Sequence, residues 1–302
     1  MIYVFKLSPQ FGFFYGQSEE IVYRPNKEFK SEMHSQLLWD MKPIYFYGLL
    51  MNISRAMPLE KWGFFSSLSL LNGIPGKSGS MEDRDWLSKQ NKAMTNYSKH
   101  DNFLRNLFFL DYNAGFSIPF KNKFLLKPSL NLLYIHFNFY GVGGYRQYAN
   151  EISDGIYDPI EDASIAYFTK GIKVINYTQN WLIGSPGLSS VFYFFPAFSV
   201  ELSFQLSPLI LCSALDEHLV LPIKKQFRDY TQGGIFIRPA LFFSFSFKEI
   251  FTIALDISWL YITNSSGVTY SNDYGKSIYF QNGNSGAALS LLNTGILFKF
   301  NL

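Results

Sequence analysis

Asp83 and Asp85 stand one residue apart in the stretch Gly79-Ser80-Met81-Glu82-Asp83-Arg84-Asp85-Trp86. In extended backbone, residues two apart point the same way. The two carboxyls are therefore expected to crowd one patch of space, where like charges resist ionising together and one pKa rises. Such a pair can share a proton or hold a water, although the same spacing also serves in solvated turns. Asp216-Glu217-His218 repeats the i, i+2 spacing. An imidazole beside a carboxylate is held in one tautomer and acts as a base near neutral pH. The chain has four histidines, and this one ends a strand-like run. The plain alternative is a surface Asp and His that never meet.

The elements that must carry these groups are bounded by composition. The chain has 302 residues, and no linker, composition shift or internal repeat divides it, so a single domain over residues 1–302 is the simplest organisation. Aromatic residues make up 19% and charged residues only 16%, below the usual quarter for soluble domains, so much of the surface is expected to be apolar. Mean hydropathy is only +0.02, and no run approaches the ~18 apolar residues a membrane helix needs. High aromatic content without long apolar runs fits a transmembrane antiparallel β-barrel, in which lipid-facing and lumen-facing side chains alternate. A large soluble β-sandwich is the competing class. A net charge of +3 scattered among acids gives no nucleic-acid footprint. One cysteine, Cys212, excludes an internal disulfide, and the dispersed histidines give no zinc spacing; no metal is expected.

Along the chain, aromatic alternation predicts a first strand over residues 2–15 and a polar loop over 17–30. A long strand follows to about Ala56, then a tight turn at Pro58-Leu59-Glu60-Lys61. A second loop over about 72–102 would hold the Asp pair and Ser98-Lys99-His100. Strands are expected over 106–120 and 124–140, joined at Lys121-Asn122-Lys123, and a third loop over 141–166. Further strands over 177–194 and 199–211 meet near Phe195-Pro196, and Asp216 and His218 open a fourth loop. Phe251, Ile253, Leu255, Ile257, Trp259 and Tyr261 share one face of a strand, with Thr252, Ala254, Asp256 and Ser258 on the other. Only Lys248-Glu249 separates this strand from the one before it. The total is about ten strands, with long loops on one side and short turns on the other, as in outer-membrane barrels. Such a barrel is exported with a signal peptide. The opening Met1-Ile2-Tyr3-Val4-Phe5-Lys6 lacks a basic start and a cleavage site, as expected where that segment has been removed or the start lies elsewhere.

Together these residues resemble the omptin family of outer-membrane proteases, ten-stranded barrels with an active site in a groove at the extracellular rim. Gly12, Gly16, Glu20, Val22 and Tyr23 fit the family spacing G-x3-G-x3-E-x-V-Y, and Ser35-Gln36-Leu37-x-Trp39 follows. Gly79 to Trp86 resembles the catalytic GxMxDxDW stretch, and Asp216-Glu217-His218 the DEH stretch. The resemblance implies that Asp83 and Asp85 face Asp216 and His218 across a water, with His218 as general base and no acyl-enzyme. Ser98 lacks an obvious paired base in the sequence and is given no covalent role. Glu20, Ala214 and Asn96 match positions where family members that cut between basic residues carry acids, so the substrate-binding groove is expected to keep only Glu20 as an acid. Strict cleavage between two basic residues is then expected to be lost. The family's lipopolysaccharide-binding pattern Tyr-x-Glu-x-Arg reads Tyr134-Ile135-His136-Phe137-Asn138, its next arginine is Asn180, and Arg228 is the counterpart of a loop lysine. No cofactor is expected, with lipopolysaccharide dependence in doubt. The last residue is Leu302 rather than an aromatic, with Phe300 two inside.

The implied function is an outer-membrane endopeptidase acting on peptides or proteins, embedded in outer-membrane lipid, its groove facing the cell exterior. The alternative is a barrel that binds surface or host molecules through loops such as residues 141–158. A pore comes third, since side chains largely fill a ten-stranded lumen.

Overall fold

A computed structural model describes residues 3–24, 32–55, 62–90, 92–120, 124–195, 197–220, 224–247, 251–273 and 280–300. They form an antiparallel barrel of ten staves. In chain order these are β1 (Tyr3–Tyr23), β2 (Met33–Arg55), β3 (Gly63–Gly73, continued by Gly76–Asp85), β4 (Asn96–Phe120) and β5 (Phe124–Tyr148). Then come β6 (Lys173–Phe195), β7 (Phe198–Ser207, continued by Leu209–His218), β8 (Lys225–Gln232, continued by Phe236–Phe247), β9 (Phe251–Asp273) and β10 (Phe280–Phe300). Each stave pairs with the next, and β10 closes onto β1 with Phe14 opposite Asn293. Closure leaves none of the ten described staves at a sheet edge, which is what lipid requires of a spanning sheet.

The alternation read from the last strands holds. Thr252, Ala254, Asp256 and Ser258 are buried inside β9, while Ile253 and Trp259 are exposed outside. Exposed apolar side chains ring the terminal half of the barrel, from Phe5 to Tyr15 on β1, Tyr45 to Ile53 on β2, Tyr112 to Phe120 on β4, and Leu292 to Phe300 on β10. A belt about ten residues tall on each stave matches a bilayer crossed by tilted strands. The staves continue well past it at the end away from the termini, and that extension carries the site.

The strands run longer than their hydrophobic patterning suggested. β1 continues to Tyr23, β4 starts at Asn96 and β5 reaches Tyr148, because ladder hydrogen bonds persist where the outer face turns from lipid to water and the aromatic signal fades. Asp83 and Asp85 therefore sit in a strand and not in a loop. Ser98 and His100 lie in β4, and Asp216 and His218 close β7. The third loop does contain residues 149–172, with short strands at Glu151–Ser153, Ile156–Tyr157 and Ile165–Tyr167. The expected turns at residues 58–61, 121–123 and 248–249 and Pro196 lie outside the described residues, as do Met1, Ile2 and Leu302.

The lumen is layered. At the height of the belt it holds polar groups around a cavity of 280 Å³, including the pairs Arg238–Asp111 and Lys127–Glu201. Above lies a dry aromatic layer. Trp39 stacks on Tyr177 at 5.0 Å and on Phe139 at 5.9 Å, and Phe137, Trp181 and Met41 are likewise fully buried. Such stacks are worth about 0.5–1.5 kcal/mol each beyond their buried area. This layer closes the lumen under the site, which the pore reading cannot accommodate.

Candidate active site

Asp83 and Asp85 owe their direction to an irregularity in β3. The pairing with β4 shifts between Lys77 and Gly79, and Gly79 adopts φ 124°, where an added Cβ would lie 2.7 Å from the Asp40 side chain. A one-residue shift changes which face a side chain occupies, and beyond it Met81 is fully buried toward the interior, with Asp83 and Asp85 continuing its face. The intervening Arg84 points the other way and pairs with Glu82 at 2.6 Å, beside Lys99 at 2.9 Å from the same carboxyl. The arginine therefore leaves the Asp pair uncompensated. Burial, and for Asp83 the neighbouring Asp85 charge, push both carboxyls above the usual range. Ser35, opposite Asp85 on β2, offsets part of this by hydrogen bonding to both, and Asn96 donates to Asp85 Oδ2 at 3.4 Å.

On β7, Asp216 is 2% exposed and its Oδ2 lies 2.7 Å from His218 Nε2. With Nε2–H donating to the carboxylate, the basic lone pair is on Nδ1. The imidazole rests edge-on against Phe227, with ring centres 5.5 Å apart. Burial alone would lower its pKa, but the charges of Asp216, Asp83 and Asp85 outweigh burial and lift it to about 9.

Asp83 and His218 line one narrow cleft with Met81, Ser98, Arg146 and Tyr148. Its free space is 20 Å³, against the ~10–15 Å³ that one water occupies. Asp83 Oδ1 and Asp216 Oδ1 are buried with no hydrogen-bond partner among the described residues, so both can accept from a water.

Ser98 does have a paired base, contrary to the sequence expectation. His100 Nε2 lies 2.9 Å from Ser98 Oγ, and His100 Nδ1 lies 2.5 Å from the Gly143 carbonyl. A carbonyl can only accept, so Nδ1 carries the proton and Nε2 accepts from Ser98; burial keeps this imidazole's pKa low. The contact depends on a bulge opposite His100, where Gly143 and Gly144 have φ 57° and 87°. Tyr148, within hydrogen-bonding reach of Ser98, then has to donate in that contact. Burial and the charges of Asp83 and Asp85 hold its phenol protonated well above the usual range.

The substrate-binding positions divide. Glu20 is 2% exposed on β1, near Asp216, and it accepts from Tyr177. The Tyr177 hydroxyl is held by Gln179 at 2.9 Å, which in turn receives Ser18 at 2.6 Å and Trp181 at 2.8 Å. Ala214 is a buried wall residue of β7, opposite Asp229 on β8. Asn96 sits instead across the cleft, beside Asp85. Sequence reasoning missed Ser35, Tyr148 and Asp229. Asp229 had a usable signal, an acid in step with inward Thr231 once β8 is recognised as extending to Lys225.

On the outer face, Tyr134 and Asn180 do not fit a phosphate-bearing lipid. Asn180 Oδ1 accepts from Tyr134 at 3.0 Å and contacts His136 Nδ1 at 2.8 Å, and its Nδ2 faces Ser213 at 3.5 Å. These groups bond to one another and include no lysine or arginine.

Comparison with known proteins agrees with this architecture. No curated protein sequence matches the chain. The crystal structure of the outer membrane protease OmpT from Escherichia coli superposes with a TM-score of 0.84 at 20% identity, covering 100% of this chain and 99% of that one. The Pseudomonas putida toluene transporter TodX gives a TM-score of only 0.33 at 11% identity, over 98% and 90% of the two chains. The Omptin family model matches residues 2–302. Matched along its whole length, the chain belongs to the Omptin family of outer-membrane proteases.

Proposed function

We propose that this protein is an endopeptidase that hydrolyses peptide bonds with a water held between Asp83 and His218, in a groove open to the cell exterior. The observation that carries the reading is their convergence on one water-sized cleft, with Asp216 orienting the imidazole. The water's oxygen attacks the carbonyl carbon while its proton passes to His218 Nδ1. The C–N bond then breaks, and the same proton goes to the leaving amine. No acyl-enzyme forms.

The charges that Asp83 and His218 exert on each other make this a matter of proton count. Asp83 and His218 interact strongly, so their pKa values belong to the pair. The working form of the pair holds one proton, and the arrangement with that proton on Asp83 leaves the imidazole free to act. Asp85 sustains the arrangement by raising Asp83. The developing oxyanion needs a donor. His100 and Ser98 have committed their protons, which leaves Tyr148, or Arg146 stacked on it with 5.3 Å between its guanidinium carbon and the ring centre. Tyr148 takes this role, its hydroxyl turning from Ser98 to the carbonyl oxygen.

Orientation follows from the belt. The site lies on the extension beyond it, opposite the chain termini and the short connections, which outer-membrane barrels keep in the periplasm. Detergent-refolded protein should cleave a random peptide library, with cleavage lost in Asp83→Asn and in His218→Gln; equal hydrolysis by both variants would remove the mechanism. The exposed Ile152, Ile165 and Tyr167 of the third loop favour a second reading, protein docking at the rim. Binding of a protein ligand that survives in both variants without cleavage would single it out.

A further inference from the structure

Asp229 faces into the barrel on β8, where its direct neighbours in register are Ala214 on β7 and Thr269 on β9. It is 2% exposed, and neither carboxylate oxygen has a well-formed hydrogen bond among the described residues. Glu20 comes to it from the β1 side, also 2% exposed and with Oε2 unpartnered. The groups acting on the two are each other, a third acid at Asp216, and the hydroxyls of Tyr177 and Thr269. Small side chains stand beside the pair, Ala214 opposite Asp229 and Ala287 opposite Glu20. Two acids buried face to face are stable only if they share a proton or receive a cation. A shared proton bridges one oxygen of each carboxyl, yet of the three oxygens without a partner at least one is still left without a donor.

We propose that Asp229 is a specificity-determining residue, supplying with Glu20 a two-carboxylate seat for a Lys or Arg side chain of the substrate. The proposal rests on the peptidase reading and adds a residue to it. Position 214 lacks an acid, but the strand paired with it restores one at the same height. A guanidinium matches the seat because its several N–H groups can serve two carboxylates at once. The groove is then more anionic than Glu20 alone would make it, and a basic residue in the substrate is required and not merely preferred.

The test separates binding from hydrolysis. Two peptides differ only in arginine against citrulline, its neutral isostere, with the bond after that residue N-methylated to prevent cleavage; binding to detergent-refolded protein is followed by tryptophan fluorescence. Wild type should favour arginine by about 30-fold or more. Asp229→Asn and Asp229→Ser should each erase most of that preference while binding citrulline within ~3-fold of wild type. Moving the acid back across the seam, in Asp229→Asn combined with Ala214→Asp, should restore part of it. If the arginine preference is absent in wild type, or survives both single variants, the proposal is wrong. Should a single variant not fold, the relocated pair decides, since a preference no better than for citrulline there also overturns it. Cleavage of the unmethylated peptide is scored separately, so the peptidase reading can fail while the binding result stands.

Discussion

Asp83 on β3 and His218 on β7 line the same cleft although their strands do not pair. Only closure of the barrel brings them together, and burial couples the charge of each to the other. Asp83→Asn and His218→Gln should therefore each lower kcat by about 10²–10⁴. The double variant should lose little more than either alone, because the two act as one proton-holding unit. Steady-state kinetics on a fluorogenic peptide measure this; effects that multiply in full would show that the groups act independently.

The pH profile follows from the same coupling. A histidine acting alone would give an acid limb around pH 6 to 7, but here the imidazole is lifted to about 9 by its carboxylates. Below that value the pair retains its proton, so activity should stay high through neutrality and fall as pH rises through about 9. On the acid side the limb comes from a second proton, added to carboxyls whose pKa burial has raised. A bell in kcat/KM is expected, with its basic limb displaced downward in Asp216→Asn. A basic limb unmoved by that change would assign it to another group.

Much of this was legible in the sequence, and what was not has physical reasons. The belt strands announce themselves because lipid imposes alternation, as Phe251 to Tyr261 shows. Above the belt both faces meet polar surroundings, the alternation weakens, and Asp83, Ser98 and His218 read as loop residues although the ladder carries them all. The paired motifs located the four catalytic candidates because their spacing is local. The roles of Ser35 and Tyr148 depend on register across strands far apart in sequence, which no local pattern encodes, and Asp229 becomes legible only once the extent of β8 is known. The Ser98–His100 contact depends on a bulge whose only trace is Gly143-Gly144.

Tyr148→Phe removes the proposed oxyanion donor without changing the bulk of the ring. kcat should fall by about 10²–10³ with KM little altered, since the hydrogen bond is made in the transition state. Binding of the N-methylated arginine peptide should be unchanged. A rise in KM at constant kcat would instead make Tyr148 a substrate-positioning residue.

Lipopolysaccharide should not be required. The groups at Tyr134, His136 and Asn180 bond to one another, and that row holds no lysine or arginine to clasp a phosphate. Protein refolded in lipid-free detergent should reach the same kcat before and after purified lipopolysaccharide is added. Activation of tenfold or more would mean that cations elsewhere on the outer face, such as Arg105 or Lys173 beside Tyr140, do the binding.

Gly144 tests whether the bulge in β5 serves the site. A Cβ there would lie 1.9 Å from the Lys99 carbonyl oxygen, and φ is 87°, so alanine is both crowded and strained. The chain can relieve this only by shifting the bulge, which withdraws the Gly143 carbonyl from His100 and frees that ring's tautomer. Ser98 then loses its fixed acceptor, and Tyr148 the neighbour that holds it at the cleft. Because the belt below is untouched, Gly144→Ala should insert and resist detergent denaturation like wild type, yet lose about tenfold or more in kcat, comparable to a mispositioned donor. The nitrogen shifts of His100 should change from a single Nδ1–H tautomer to a mixture. Full activity with an unchanged His100 spectrum would show that the bulge is dispensable, and the chain of bonds from Gly143 to Tyr148 would then have no part in positioning the donor.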